Sequence, residues 1–182
     1  MLMKRNDSVL LIIDVQERLV TAMDSPREVI NNCTKLLSVA RRLNIPSIIT
    51  EQYPEGLGQT IIDVRQAAGK ETQYFSKLEF SIMKNEQIRK EIEKLGKKQI
   101  IIAGVETHIC ILQTAVELSE KGYEVYVVSN ACSSRDNLQH AFALQRMNRN
   151  GVDVVSSEMV MFEWLEQAGT EEFKEISRKY II

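Results

Sequence analysis

Residues 99–110 read Gln-Ile-Ile-Ile-Ala-Gly-Val-Glu-Thr-His-Ile-Cys, and they indicate how the chain folds. The isoleucine run that leads to Gly104 is typical of a strand buried on both faces. Residues 111–118 then place apolar side chains at helical spacing. The stretch therefore predicts a strand, a sharp turn and a helix, with Cys110 in the first helical turn. A helix N-terminus favours negative charge, so we expect a lowered thiol pKa and a nucleophilic sulfur there. The alternative is that Cys110 simply packs in the core, as free cysteines commonly do.

Strand and helix patterns alternate along the rest of the chain. Strand patterns occupy residues 9–13, 45–50, 72–76, 123–128 and 152–155. Ser25, Pro26 and Glu28 have the pattern of a helix start with a capping box. This alternation predicts one α/β domain over residues 1–182, with a mainly parallel six-stranded sheet and helices on both faces.

Composition restricts the function classes. The chain has 182 residues, a net charge of -2 and three cysteines. The charge predicts no nucleic acid partner, and the lack of an apolar run of about 20 residues predicts no membrane span. The N-terminus has no signal-peptide pattern, and three cysteines form no disulfide framework, so we expect a cytoplasmic protein. The cysteines and the two histidines show no metal-ligand spacing.

Three reactive side chains follow three predicted strands. Asp14 ends strand one, Lys77 ends strand three and Cys110 follows strand four. If the strand order is 3-2-1-4-5-6, strands one and four flank the point of reversal, where α/β sheets bind ligands. Asp14 could then act as general base, Lys77 could supply positive charge and Cys110 could attack an acyl carbon. Taken singly, Asp14 could instead be a turn residue and Lys77 a solvated surface residue.

The chain resembles the isochorismatase-like cysteine hydrolases, a superfamily that includes nicotinamidases and N-carbamoyl amidohydrolases. The matching segments are residues 11–16 (Leu-Ile-Ile-Asp-Val-Gln), 75–77 (Phe-Ser-Lys) and 104–110 (Gly-Val-Glu-Thr-His-Ile-Cys). The resemblance implies a three-layer α/β/α fold and a triad of Asp14, Lys77 and Cys110. It also implies a cis peptide bond before Glu106, with the backbone amides of Glu106 and Cys110 forming an oxyanion hole.

The loop after the second strand departs from the nicotinamidase pattern. That branch carries an Asp/His metal site there, whereas residues 51–58 of this chain contain no histidine. We therefore expect no metal and no other cofactor. The loop and the matched segments also supply the residues that we predict for substrate binding, namely Gln16, Glu51, Tyr53 and Thr107. We expect His140, in the middle of a predicted helix, to be exposed.

Three functions are compatible with these residues. The first is a metal-free cysteine hydrolase that acts on a small C–N substrate, an amide or a carbamoyl compound, through a covalent acyl-enzyme. The second is an isochorismatase-type vinyl-ether hydrolase in which Asp14 acts as acid and Cys110 is idle. The third is a non-catalytic binding protein of the same fold. We expect a small-molecule substrate for the enzymes and a homo-oligomer in every case.

Overall fold

The computed structural model describes residues 1–181, and its centre is a six-stranded sheet in which all strands are parallel. The strands are β1 (Ser8–Ile13), β2 (Ser47–Gln52), β3 (Gln73–Lys77), β4 (Gln99–Val105), β5 (Glu124–Ser133) and β6 (Asp153–Val155). Their order across the sheet is β3-β2-β1-β4-β5-β6, as the sequence predicts. The reversal point therefore lies between β1 and β4.

Helices cover both faces of this sheet. They are α1 (Pro26–Arg42), α2 (Pro54–Leu57), α3 (Ile62–Ala67), α4 (Glu86–Leu95), α5 (Leu112–Glu120), α6 (Asn137–Arg149), α7 (Ser157–Leu165) and α8 (Glu171–Ile176). Short 3-10 turns lie at Arg5–Asp7, Val20–Ala22 and Ile82–Lys84, and π-helical turns lie at Thr107–Ile111 and Ser177–Ile181. Within residues 1–181, no helix combines the length and apolar character needed to cross a membrane.

Two hydrophobic cores, one on each face of the sheet, explain why the central strands β1 and β4 are apolar over most of their length. Successive side chains of a strand point to opposite faces. In β1, Leu10 and Ile12 pack in the core under α1 and α7, whereas Leu11 and Ile13 pack in the core under α4, α5 and α6. Each face is covered by helices, so each face requires apolar side chains. This gives the three-layer α/β/α arrangement that the resemblance implies.

The structure differs from the sequence-based predictions in three details. Ser25 precedes α1 but caps no backbone N–H, because its hydroxyl contacts Asp24 instead. Strand β5 continues to Ser133, beyond residue 128 where the predicted strand ends, and it therefore contains Cys132. His140 is half-buried rather than exposed, because its ring contacts the hydroxyl of Thr107.

Candidate active site

Asp14, Lys77 and Cys110 converge at the carboxyl edge of the sheet. Lys77 is the last residue of β3, and its Nζ lies 2.7 Å from Asp14 Oδ2 and 3.7 Å from Cys110 Sγ. The side chains of Asp14 and Lys77 are fully buried, and Cys110 is 5% exposed. The structure thus brings a carboxylate, an ammonium and a thiol into one contact chain. A buried ion pair in contact with a thiol is typical of a chemical site, and it differs in this from ordinary ion pairs on a protein surface.

Two further polar residues complete the surroundings of this ion pair. Thr50 Oγ1 donates a hydrogen bond of 2.7 Å to Asp14 Oδ1, and Gln52 Oε1 accepts one of 2.6 Å from Lys77 Nζ. Both residues come from the end of β2, beside β1 and β3. Neither residue is among those predicted from the sequence. The sequence feature that could have identified them is the change from apolar to polar residues at the end of a strand that is otherwise buried.

The electrostatics of the thiol differ from the sequence expectation. The pKa of Cys110 is raised to about 12, mainly because burial disfavours the thiolate and next because Asp14 carries a negative charge. The Lys77 ammonium opposes this effect only in part. The lowered pKa expected for a helix N-terminus is therefore wrong. In the resting site Cys110 is a protonated thiol next to a carboxylate that can accept its proton.

Cys110 lies in a π-helical turn rather than in the first turn of an α-helix. This turn, Thr107–Ile111, connects β4 to α5, and the carbonyl of Glu106 accepts hydrogen bonds from the N–H groups of Ile109 and Ile111. π-Helical turns are rare in proteins, and those that occur are often found at functional sites. The turn fixes the sulfur at the end of a buried strand.

A glycine allows β4 to reach this position. Gly104 pairs with Ile13 in the β1–β4 register and has a φ of +122°. A Cβ atom on residue 104 would lie 2.0 Å from the carbonyl oxygen of Ile13. Only glycine fits this close approach. The backbones that carry Asp14 and Glu106 are therefore held side by side.

The segment after Gly104 has the peptide geometry that the resemblance implies. The bond between Val105 and Glu106 is cis. The Glu106 carboxylate is buried and accepts hydrogen bonds of 3.1 Å from both the backbone N–H and the Nε of Arg135. This ion pair ties the end of β4 to the residues that follow β5. It holds the backbone of Glu106 in place next to the turn that carries Cys110.

The side chains predicted to bind substrate have different surroundings. The amide of Gln16 bonds the backbone of Gln52 and Gly58, and one carboxylate oxygen of Glu51 accepts from both the N–H and the hydroxyl of Thr60. These contacts hold the loop after β2 in place. The fourth residue of the set, Thr107, is fully buried and contacts the His140 ring. The structure thus gives three of the four predicted residues structural partners.

Tyr53, the remaining member of that set, is 52% exposed and lines a cleft of about 460 Å³. Lys77 also lines this cleft, whereas Asp14 and Cys110 do not, so the cleft lies beside these two residues at the end of β3. The other lining residues are Pro54, Glu55, Ser76, Leu78, Glu79 and Asn85.

Comparisons with known proteins agree with this fold and topology. The family model described as an isochorismatase domain matches residues 8–159. The chain belongs to the isochorismatase family. Isochorismatase domain-containing protein 2 of Xenopus laevis is 35% identical over 172 residues, which cover 94% of this chain and 82% of that protein.

Two solved structures are similar to this isochorismatase-family chain over nearly its whole length. The structure of MAR1 ribonuclease from Caenorhabditis elegans has a TM-score of 0.92 and 32% identity, and the match covers 98% of this chain and 91% of that one. YcaC from Pseudomonas aeruginosa, solved with hexane-2,5-diol and covalent acrylamide, has a TM-score of 0.92 and 26% identity, with coverage of 99% and 92%.

The other cysteines of this isochorismatase-family chain lack the partners of Cys110. Cys33 and Cys132 are buried free thiols whose closest polar contacts are backbone carbonyls. Burial raises the pKa of both. Among residues 1–181, no group of three or more His, Cys, Asp or Glu side chains is arranged to hold a metal ion. Cys110 is thus the thiol with an ion pair beside it.

Proposed function

We propose that this chain is a cysteine hydrolase that cleaves a small C–N substrate, an amide or a carbamoyl compound, through a covalent acyl-enzyme. The observation that carries the proposal is the buried contact chain from Asp14 through Lys77 to Cys110, with distances of 2.7 Å and 3.7 Å. An isolated buried ion pair seldom stabilises a fold better than apolar residues of the same volume. Its position next to a thiol therefore favours a chemical role.

In the first step Cys110 Sγ attacks the carbonyl carbon while its proton passes to the carboxylate of Asp14. The raised pKa of the thiol suits this step, because a thiol that stays protonated at rest needs a base at the moment of attack. Lys77 stabilises the negative charge that passes between carboxylate and sulfur. We assign the developing oxyanion to the backbone N–H groups of Glu106 and Cys110.

In the second step the C–N bond breaks and the nitrogen leaves with the proton that Asp14 received. Ammonia or an amine departs, and the acyl group remains on Cys110 as a thioester. Asp14 then accepts a proton from water, the resulting hydroxide attacks the thioester, and the proton returns to sulfur. The products are an acid and the restored thiol.

A structural relative supports the presence of a reachable nucleophile. YcaC from Pseudomonas aeruginosa was solved with covalent acrylamide, so that protein reacts with a small uncharged amide. Acrylamide reacts at its carbon–carbon double bond rather than at its carbonyl carbon, so it reports a reactive group rather than turnover. For this chain it supports the presence of a nucleophile that such a molecule can reach.

Ammonia release from a panel of small amides and carbamoyl compounds tests the proposal. We expect turnover by the wild-type chain and a loss of at least about a thousandfold in Cys110→Ala. Cys132→Ala is the matched control, because it removes another buried thiol without touching the ion pair, and its rate should stay near wild type. Undiminished turnover in Cys110→Ala would refute the proposal and would favour acid catalysis by Asp14 on a vinyl ether.

A further inference from the structure

The charges that line the cleft beside the triad are unbalanced. Glu55 and Glu79 contribute two exposed carboxylates to its lining. Within the described part of the chain, Lys77 is the single cation among the lining residues, and its charge is already neutralised by Asp14 at 2.7 Å. The cleft therefore presents net negative charge to an incoming molecule.

The rim carboxylate of Glu79 is ionised at neutral pH. Its pKa is lowered, first by a hydrogen bond from its own backbone N–H and next by one from the side chain of Asn85. Neighbouring cations outside the lining have other contacts, because Lys84 pairs with Glu117 at 3.2 Å and Arg18 donates to the carbonyl of Gly56. Neither of them contacts a rim carboxylate within the described residues.

Two other lining residues of the cleft, Tyr53 and Leu78, have largely apolar side chains. The ring of Tyr53 packs so closely on Gly56 that a Cβ atom there would lie 2.4 Å from Tyr53 Cε1. Leu78 is 72% exposed and lines the same cleft. An aromatic ring and a leucine offer contact to uncharged or cationic groups and offer no hydrogen-bond donor for a carboxylate other than the phenol.

We propose that this cleft admits uncharged or cationic substrates and rejects carboxylates, with Glu55 and Glu79 as the residues that determine this specificity. The inference rests on the proposed function, because it concerns molecules that approach Cys110 through the cleft. It narrows the substrate class from small C–N compounds in general to those without a negative charge. Isochorismate itself, which carries two carboxylates, falls outside that class.

Two alkylating reagents that differ in charge test the inference without a known substrate. Iodoacetamide is neutral and iodoacetate is an anion, and both transfer a carbon to a thiolate with loss of iodide. The rate of each at Cys110 is measured by peptide mass spectrometry and divided by its rate with free glutathione. We expect Cys110 to prefer iodoacetamide by about three- to tenfold more than glutathione does, because both carboxylates repel the anion.

Charge-neutral variants identify the source of that preference. In the double variant Glu55→Gln/Glu79→Gln the preference should fall to within about twofold of the glutathione value. The matched control is Glu158→Gln/Glu171→Gln, which removes the same net charge at exposed positions outside the cleft lining and should leave the preference unchanged. In 1 M salt, where the Debye length is about 3 Å, the wild-type preference should also fall.

The outcomes separate this inference from the proposed function. The proposed charge selection would be overturned if Cys110 shows the same ratio of iodoacetamide to iodoacetate rates as glutathione, or if its preference for iodoacetamide persists in Glu55→Gln/Glu79→Gln. After either result Cys110 would remain a reactive nucleophile. If neither reagent modifies Cys110 at about pH 10 over a time about a hundredfold longer than the unfolded chain needs, which allows for the raised pKa of the thiol, the nucleophile is not reachable and both proposals fail.

Discussion

Replacing Asp14 with asparagine should make Cys110 a faster nucleophile toward an alkylating reagent and at the same time a poorer catalyst. The carboxylate of Asp14 raises the pKa of the buried thiol through its negative charge and its hydrogen bond. The asparagine side chain would remove the charge and keep the volume. The Lys77 ammonium, 3.7 Å from the sulfur, would then stabilise a thiolate without opposition. More thiolate is therefore present at any pH below the thiol pKa.

The size of this effect can be worked from the hydrogen-bonded contact between the Asp14 carboxylate and the Cys110 thiol. Two unit charges about 4 Å apart interact by about 4 kcal/mol at an effective dielectric constant of about 20, which is roughly a thousandfold change in thiolate fraction. A less basic thiolate is also a weaker nucleophile, and a Brønsted coefficient of about 0.4–0.5 reduces the net gain in rate to about thirtyfold. We expect an increase of about three- to thirtyfold in the iodoacetamide rate at about pH 8.

The assay follows alkylation of Cys110 by peptide mass spectrometry, with Cys33 and Cys132 as internal references in the same sample. Ammonia release from an amide that the wild-type chain cleaves should fall, because the thiol proton has lost its acceptor. Lys77→Met is the opposite perturbation: alkylation should slow, and the unpaired Asp14 charge should cost about 3–5 kcal/mol of stability. Slower alkylation of Cys110 in Asp14→Asn than in wild type would refute the reasoning.

Three further predictions concern the scaffold and its pH dependence, and each is measured by urea unfolding. Gly104→Ala should cost about 2–5 kcal/mol, because its Cβ would lie 2.0 Å from the Ile13 carbonyl oxygen at a positive φ. Ser8→Ala should cost about 1–3 kcal/mol, because the buried indole N–H of Trp164 would lose its acceptor at 3.0 Å. Burial lowers the pKa of His140, so as pH falls below about 6.5 the unfolded chain takes up a proton that the folded chain excludes. Stability should therefore be full above that pH and decline below it, and His140→Gln should flatten this decline.

Each of these predictions has a result that would contradict it, and Gly104→Ala also has a matched control variant. Gly96→Ala also places a side chain at positive φ, but no atom lies within 4 Å of its Cβ, so it should cost only about 1–2 kcal/mol. Equal costs for the two glycine variants would contradict the close approach of β1 and β4. An unchanged unfolding free energy in Ser8→Ala would contradict the indole contact. A decline with the same slope in His140→Gln and wild type would assign the pH effect to other groups.

The fold and the convergence of Asp14, Lys77 and Cys110 could be predicted because both follow from strand patterns that are local in sequence. Runs of successive apolar residues indicate strands that are covered on both faces. Their alternation with helical patterns leaves few possible topologies. Parallel strands bring their carboxyl ends to one edge, so the sequence alone predicts that residues 14, 77 and 110 meet there. The order β3-β2-β1-β4-β5-β6 confirms that expectation for the sheet.

The surroundings of these side chains could not be predicted, because they depend on contacts between distant segments. The pKa of Cys110 is raised by burial and by the Asp14 charge, and neither cause can be seen in the sequence pattern around residue 110. The polar end of β2 provides Thr50 and Gln52, whose partners come from two neighbouring strands. Gln16 has a side chain suited to substrate binding, but its amide forms hydrogen bonds with the backbone of Gln52 and Gly58 instead.

The most direct test of the central claim is to locate the acyl group during turnover. The wild-type chain is mixed with a cleaved amide, quenched in acid within milliseconds, digested and examined by mass spectrometry. We predict an acyl adduct, equal in mass to the amide less ammonia, on the peptide that contains Cys110. An adduct on Cys33 or Cys132, or undiminished turnover by protein whose Cys110 is fully alkylated, would contradict the claim that Cys110 is the nucleophile.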